Sequence, residues 1–288
     1  MALDTSHFLN QVKMKATLPD GRYTNTEILN IANDVLLSQM VPLILSLKEE
    51  YYVRPDTQNI TQDTASYTIP YRAYGLALRE VKRLSNTSIV DLFRIDPTDV
   101  TSTQTGTPTS FYLEGHDVVL YPTPQSTVDT LKLSYFITPS KPVESTAVAA
   151  ITAIDTATGV ITTTPVSTWT TSDTFDLVSR RNGHKSLAID LTASVVGASS
   201  MTFTASDLPS GLAVGDFVCL AQEAPFLQIP DSGFGLMVQM TANELLEDLG
   251  DTTALQVGQG KAEQLKAAFV SSLSTRVLGA PKRSKIRL

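Results

Sequence analysis

The residues best placed to do chemistry lie in FYLEGHDVVLYPTP, positions 111–124, where Glu114, His116 and Asp117 fall within four positions of each other. Two carboxylates and an imidazole are the groups of an acid–base pair or of a metal site. A metal site needs three or four converging ligands, and the chain has only 3 histidines. His7 is expected in a loose N-terminal segment and His184 in a Gly-containing loop, so neither is an obvious partner. Adjacent side chains on a strand point to opposite faces, so His116 and Asp117 do not readily share a ligand. The competing reading is a β-hairpin bend. Two runs rich in β-branched and aromatic residues meet at EGHD, and Gly115 supplies the backbone freedom that a turn needs. The hairpin reading is favoured here.

No other constellation stands out. The chain has no G-x-S-x-G elbow and no H-E-x-x-H pair. Its GQG at 258–260 lacks the Lys-Ser/Thr of a phosphate-binding loop and has no clear strand before it. The residues therefore point to no catalytic site, no cofactor and no metal.

The elements that hold these residues follow from composition and period. The 288 residues, 42% apolar, suit two domains or one domain with a large insertion. The net charge is −7, yet the last eight residues, PKRSKIRL, hold four of the 22 basic residues and none of the 29 acidic ones. The remainder therefore carries −11. An acidic body with a basic tail has little general attraction for nucleic acid or anionic lipid. The single cysteine, Cys219, excludes a disulfide within the chain and fits a reducing compartment. MALDTSHFLNQ lacks the features of a signal peptide, and apolar runs such as VPLILSL are too short to span a bilayer.

Residues 24–50 read as a helix opened by a capping box, Thr24 with Glu27, and kinked or broken at Pro42. A second helix is expected from Pro70 through YRAYGLALREVKRLS, with Tyr74, Ala77, Leu78, Val81 and Leu84 as its buried stripe. Short strands follow to about 145. From 146 to 224 the composition turns to Thr, Ser, Val, Ala and Asp, with a weak repeat starting at 151 and 191. Each half leads through an Asp, at 173 or 216, into an apolar strand, which predicts a small β-barrel or sandwich of approximate two-fold symmetry. Helices return after 231, with Gly250 as a C-cap and a last helix running towards Val277. The early and late helices are expected to pack on each other.

In order along the chain, TEILNIANDVLLSQMVPLILSLKEEYYV, YTIPYRAYGLALREVKRL, GTPTSFYLEGHDVVLYPTP with LKLSYFITPSKPV, PFLQIPDS and LGAPKRSKIRL resemble the head-to-tail adaptor (head-completion, or neck connector) proteins of tailed bacteriophages. The resemblance covers nearly the whole chain. It implies an α+β fold: a helical bundle with a β-hairpin module, an inserted small β-barrel or sandwich domain, and an extended C-terminal arm. The parts would be 1–145 (first half of the bundle plus hairpin module), 146–224 (inserted β-domain), 225–277 (second half of the bundle) and 278–288 (arm).

The same resemblance implies a structural, non-enzymatic virion protein of the neck, assembled in the host cytoplasm. About a dozen copies would form a ring on the portal protein. Leu278, Gly279, Pro281, Lys282, Arg283, Lys285, Ile286, Arg287 and Leu288 would dock on the portal. The hairpin tip, Glu114, Gly115, His116 and Asp117, would meet a neighbour or a tail or nozzle protein on the distal side. Genomic double-stranded DNA would pass through the ring without sequence-specific binding, and no membrane would be involved. Two rivals stand beside this reading: a glycan- or protein-binding tail component acting through the inserted β-domain, and a cell-wall hydrolase using Glu114 and His116.

Overall fold

The computed structural model describes residues 3–18, 21–85, 88–100, 102–166, 168–181 and 184–273. The arm expected over 278–288 lies outside them. The chain forms two compact units: residues up to 48 together with those from 139 on, and residues 49–138.

The first unit opens with α1 (Thr5–Ala16), capped by the Asp4 carboxylate, which accepts the His7 N–H at 2.8 Å. His7 therefore sits in a helix, not in a loose segment, and its ring stacks on Phe234 at 5.6 Å. The signal is present in Phe8, Leu9, Val12 and Ala16, which recur at helical spacing and are all buried.

The next helix, α2 (Asn25–Val35), begins with the expected capping box of Thr24 and Glu27. Pro42 does not break the helical path. A π turn, Leu36–Met40, precedes α3 (Val41–Leu47), and the Val41 N–H reaches back to the Leu36 carbonyl. The widened turn absorbs the missing N–H and the ring of the proline, so the helix continues. Joined in this way, Asn25–Leu47 is a 23-residue helical run long and apolar enough, by length and composition, to cross a membrane. Apolar runs taken singly hide that length. Ile28, Ala32, Leu36, Met40 and Ile44 form a fully buried stripe along it.

The second unit contains β1 (Val53–Asn59), β2 (Ser66–Thr68), β3 (Ala73–Leu84), β4 (Ile89–Asp91), β5 (Phe93–Arg94), β6 (Thr105–Gly106), β7 (Ser110–Glu114), β8 (Asp117–Tyr121), β9 (Thr123–Pro124) and β10 (Thr130–Ile137). Two four-stranded sheets, β1-β10-β3-β4 and β2-β8-β7-β5, bury a shared cluster that includes Val81, Leu131, Leu133 and Tyr135 from one and Tyr67, Phe111, Val118 and Leu120 from the other. A short ribbon pairs β6 with β9.

The helix expected after Pro70 is instead β3, a 12-residue strand. Arg79, Glu80, Lys82 and Arg83 favour helices in isolation, but β3 is paired with β10 on one side and β4 on the other. Gly75 and Leu76 both hold positive φ, which a helix does not allow. The charged side chains find partners along and across the strands: Arg83 with Asp129, Lys82 with Glu80 and Asp91, and Arg79 with Glu49.

Back in the first unit, β11 (Lys141–Pro142) leads into a closed barrel of β12 (Ala149–Asp155), β13 (Val160–Thr163), β14 (Thr174–Val178), β15 (Ser186–Val196), β16 (Ser200–Phe203) and β17 (Phe217–Leu220). The strand order is β12-β13-β16-β15-β14-β17. Exchanging the first three strands for the last three leaves that order unchanged. The weak repeat in the sequence is thus a two-fold relation in the pairing. Its interior is filled by Ile151, Ile161, Phe175, Leu177, Met201, Phe203 and Val218, with Trp169 against Phe175 at 5.4 Å. After β18 (Glu223–Ala224), which pairs with β11, come α4 (Phe234–Leu249), ended by Gly250 in the left-handed region, and α5 (Thr252–Leu273). Helices α1, α2 and α5 each pack on α4.

The two repeat aspartates close the same turn. The Asp173 carboxylate accepts the Thr170 N–H at 2.7 Å, and the Asp216 carboxylate accepts the Ala213 N–H at 2.9 Å. Each backbone N–H returns a bond to the carbonyl three residues back. Only Asp216 is fully buried, and it also accepts the Arg180 N–H at 2.9 Å. A buried donor left without a partner costs roughly 1–3 kcal/mol. Asp216→Ala should therefore lower stability by at least about 2 kcal/mol, and Asp173→Ala by about 1 kcal/mol or less. Urea unfolding of the two variants measures the difference; equal losses would mean that burial does not set the strength of the turn.

Candidate functional site

The Glu-His-Asp stretch forms a hairpin in the second unit. Glu114 pairs with Asp117 at the end of the β7–β8 ladder, and Gly115 and His116 make the turn, with Gly115 at φ 58°. Strand β2 pins the bend: the His116 carbonyl accepts the Ile69 N–H at 2.9 Å, and the Asp117 carboxylate accepts the Ser66 hydroxyl at 2.8 Å. Glu114 and His116 are exposed. The arrangement brings Glu114 and Asp117 into register and commits Asp117 to structure, leaving Glu114 and His116 facing solvent. Chemically this is a presenting tip. Beside the hairpin is an open cavity of about 350 Å³ lined by Tyr112, Tyr121, Gln104, Ser102 and Thr103 among others.

The remaining histidines are in the first unit. His184 stacks on Phe226 at 4.2 Å, and burial lowers its pKa against the opposing pull of Asp231. Among the described residues, no group of three or more His, Cys, Asp or Glu side chains is placed to hold a metal ion. Cys219 is fully buried, and burial raises its thiol pKa well above the usual value.

A feature that sequence reasoning missed lies between α4 and α5. A cleft of about 450 Å³ is lined by apolar Leu236, Met240, Leu255 and Ala262, by charged Glu244, Glu247, Glu263 and Lys266, and by the amides Gln39, Asn243 and Gln259. Glu244 accepts from the Gln39 amide at 3.2 Å. The period of α5 puts Leu255 and Ala262 on one side, but only packing reveals that α4 supplies the facing carboxylates at one-turn spacing.

Gly258 lets α5 lie close against α4 beside this cleft. The Lys15 ammonium donates to Gln239 at 3.0 Å, and the Gln239 amide donates to Asn243 at 3.0 Å. Burial, with Lys261 close by, lowers the Lys15 pKa. Gly258 lies directly on these amides, where a Cβ would fall 2.3 Å from the Asn243 oxygen. At its far end α5 is anchored by fully buried Phe269, packed against Gly233 and Met40.

Set against known proteins, the chain matches no family model and no curated protein.

Gly260, two residues on, is different: a Cβ there would have nothing within 4 Å. Gly258→Ala should cost about 1–3 kcal/mol by overpacking, while Gly260→Ala should stabilise by up to about 1 kcal/mol through helix propensity. Thermal unfolding of the two variants decides it; a neutral Gly258→Ala would mean that α5 is free to lift from α4.

Proposed function

We propose that this chain is a head-to-tail adaptor of a tailed bacteriophage, a structural and non-enzymatic virion protein. In this reading about a dozen copies form a ring that joins the portal to the tail. The C-terminal arm docks on the portal, the hairpin tip meets a neighbour or a tail protein, and the genome passes through the ring. The observation that carries the reading is the order of parts along the chain. Helices are followed by a hairpin module, a small β-barrel, further helices and a basic tail, and the corresponding sequence segments resemble the adaptor proteins in that order.

The physical chemistry is consistent with it. A body of charge −11 repels the phosphates of passing DNA, while the cationic 282–287 segment suits an acidic patch on a partner. Head-to-tail contacts between copies close into a ring when the rotation allows it. A hairpin tip braced by a third strand is a stiff contact point that loses little entropy on binding.

Mass photometry of the purified chain, alone and with the portal ring of the same phage, tests the proposal. The expected result is a ring-sized complex formed only with portal. Deleting 278–288 should abolish that complex while leaving the far-ultraviolet circular dichroism and melting temperature unchanged. A truncated chain that still docks would remove the arm from the interface. A full chain that fails to bind portal at any salt concentration would overturn the adaptor reading and turn attention to glycan binding by the barrel.

A further inference from the structure

We propose that the cleft between α4 and α5 is the resting site of the chain's own basic C-terminal segment, residues 282–288. The contact is independent of the adaptor reading, because it rests on the cleft and on the charge and length of the tail. If the chain does dock on a portal, the cleft and the portal compete for one segment.

Charge is the first argument. The lining presents Glu244, Glu247 and Glu263 against one cation, Lys266. Among the described residues, Glu247 and Glu263 enter no ion pair. The tail carries Lys282, Arg283, Lys285 and Arg287 and no acid. Shape is the second. Beside its charged groups the lining holds four apolar side chains, Leu236, Met240, Leu255 and Ala262, with Asn243 and Gln259, and the tail alternates its charges with Ile286 and Leu288. In an extended segment Lys285 and Arg287 fall on one side and Ile286 and Leu288 on the other, which suits a lining that offers both carboxylates and apolar side chains.

Reach is the third argument, and it selects the tail's own chain over that of a second copy. The end of α5 at Leu273 is ten positions beyond Glu263, about 15 Å along the axis at helical rise. Residues 274–281 span up to about 27 Å when extended, enough to turn back and bring Lys282 over the cleft. A tether of that length holds the segment near the cleft at an effective concentration on the order of millimolar. A second copy at micromolar concentration competes poorly with it. The attraction between exposed charges weakens within a Debye length of about 8 Å at physiological salt, so the contact should be salt-sensitive.

The test is a disulfide trap on the full chain without any partner. Ala262→Cys in the cleft lining is combined with Ser284→Cys in the tail, which removes no charge; Cys219 is fully buried and does not compete. Under mild oxidation the expected product is a monomer-mass species with an internal disulfide. It should form at least tenfold faster than in a control carrying Val257→Cys, which is exposed on α5 and lies outside the cleft lining. Added E247Q/E263Q, or 1 M salt (~3 Å screening length), should remove most of that advantage. The side chains of these two glutamates make no described bond, so their replacement spares the contact of Glu244 with Gln39. Equal rates at Ala262→Cys and Val257→Cys would overturn the proposal, as would rates insensitive to charge. Disulfide-linked dimers would assign the cleft to a second copy and overturn it too.

Discussion

The buried Gln228 amide ties the barrel to the segment that leads into α4. The Gln228 oxygen accepts the Ser140 N–H at 2.7 Å, and its nitrogen donates to the His184 carbonyl and the Ser186 hydroxyl, each at 3.0 Å. A desolvated amide is stable only when its donors and acceptor are matched. Here the matching partners are the approach to β11, the β14–β15 loop and the first residue of β15. The same short segment carries Phe226, stacked on His184 and edge-on to Phe217, and Pro225, whose carbonyl accepts the Thr5 N–H at 3.0 Å. Residues 225–229 therefore hold the barrel, the entry to it and the start of α1 in one place.

From that fixed point the remaining order follows by packing. α4 leaves the segment through Gly233 and serves as the surface on which α1, α2 and α5 lie. Each contact is made by a different device. The π turn keeps the α2–α3 stripe buried past Pro42, hydrogen bonds run from Lys15 through Gln239 to Asn243 beside Gly258 of α5, and Phe269 anchors its far end. Among the polar groups lining the cleft, Glu244 is bonded to Gln39, while Glu247 and Glu263 enter no ion pair among the described residues. The hairpin tip differs: its shape is secured by β2, and its exposed groups do no structural work.

Legibility in the sequence tracks how local each determinant is. The Thr24–Glu27 box, the Gly250 cap and the Gly115 turn are decided within a few residues, and each stands where the sequence places it. The barrel is readable because its two halves repeat, down to Asp173 and Asp216 in the same turn. Strand β3 reads as a helix because its helix-favouring charges are answered across strand pairings that the local sequence does not show, by Asp91 on β4 and by Asp129 beside β10. The first helix escapes notice although Asp4 and the spacing of Phe8, Val12 and Ala16 announce it. The cleft is not readable at all, since its walls come from different helices, whose close approach at Gly258 is seen only after folding.

The pairing of β11 with β18 has a consequence for how this chain tolerates change. Lys141 and Pro142 lie alongside Glu223 and Ala224, so the chain enters and leaves the barrel through adjacent strands. The entropy of closing such an excursion grows only slowly with its length, by about 0.6 kcal/mol per doubling. A change in the length of the barrel segment therefore makes only a small difference to what closing it costs, provided that β11 and β18 stay paired. The Gln228 contacts are what such a change would have to preserve.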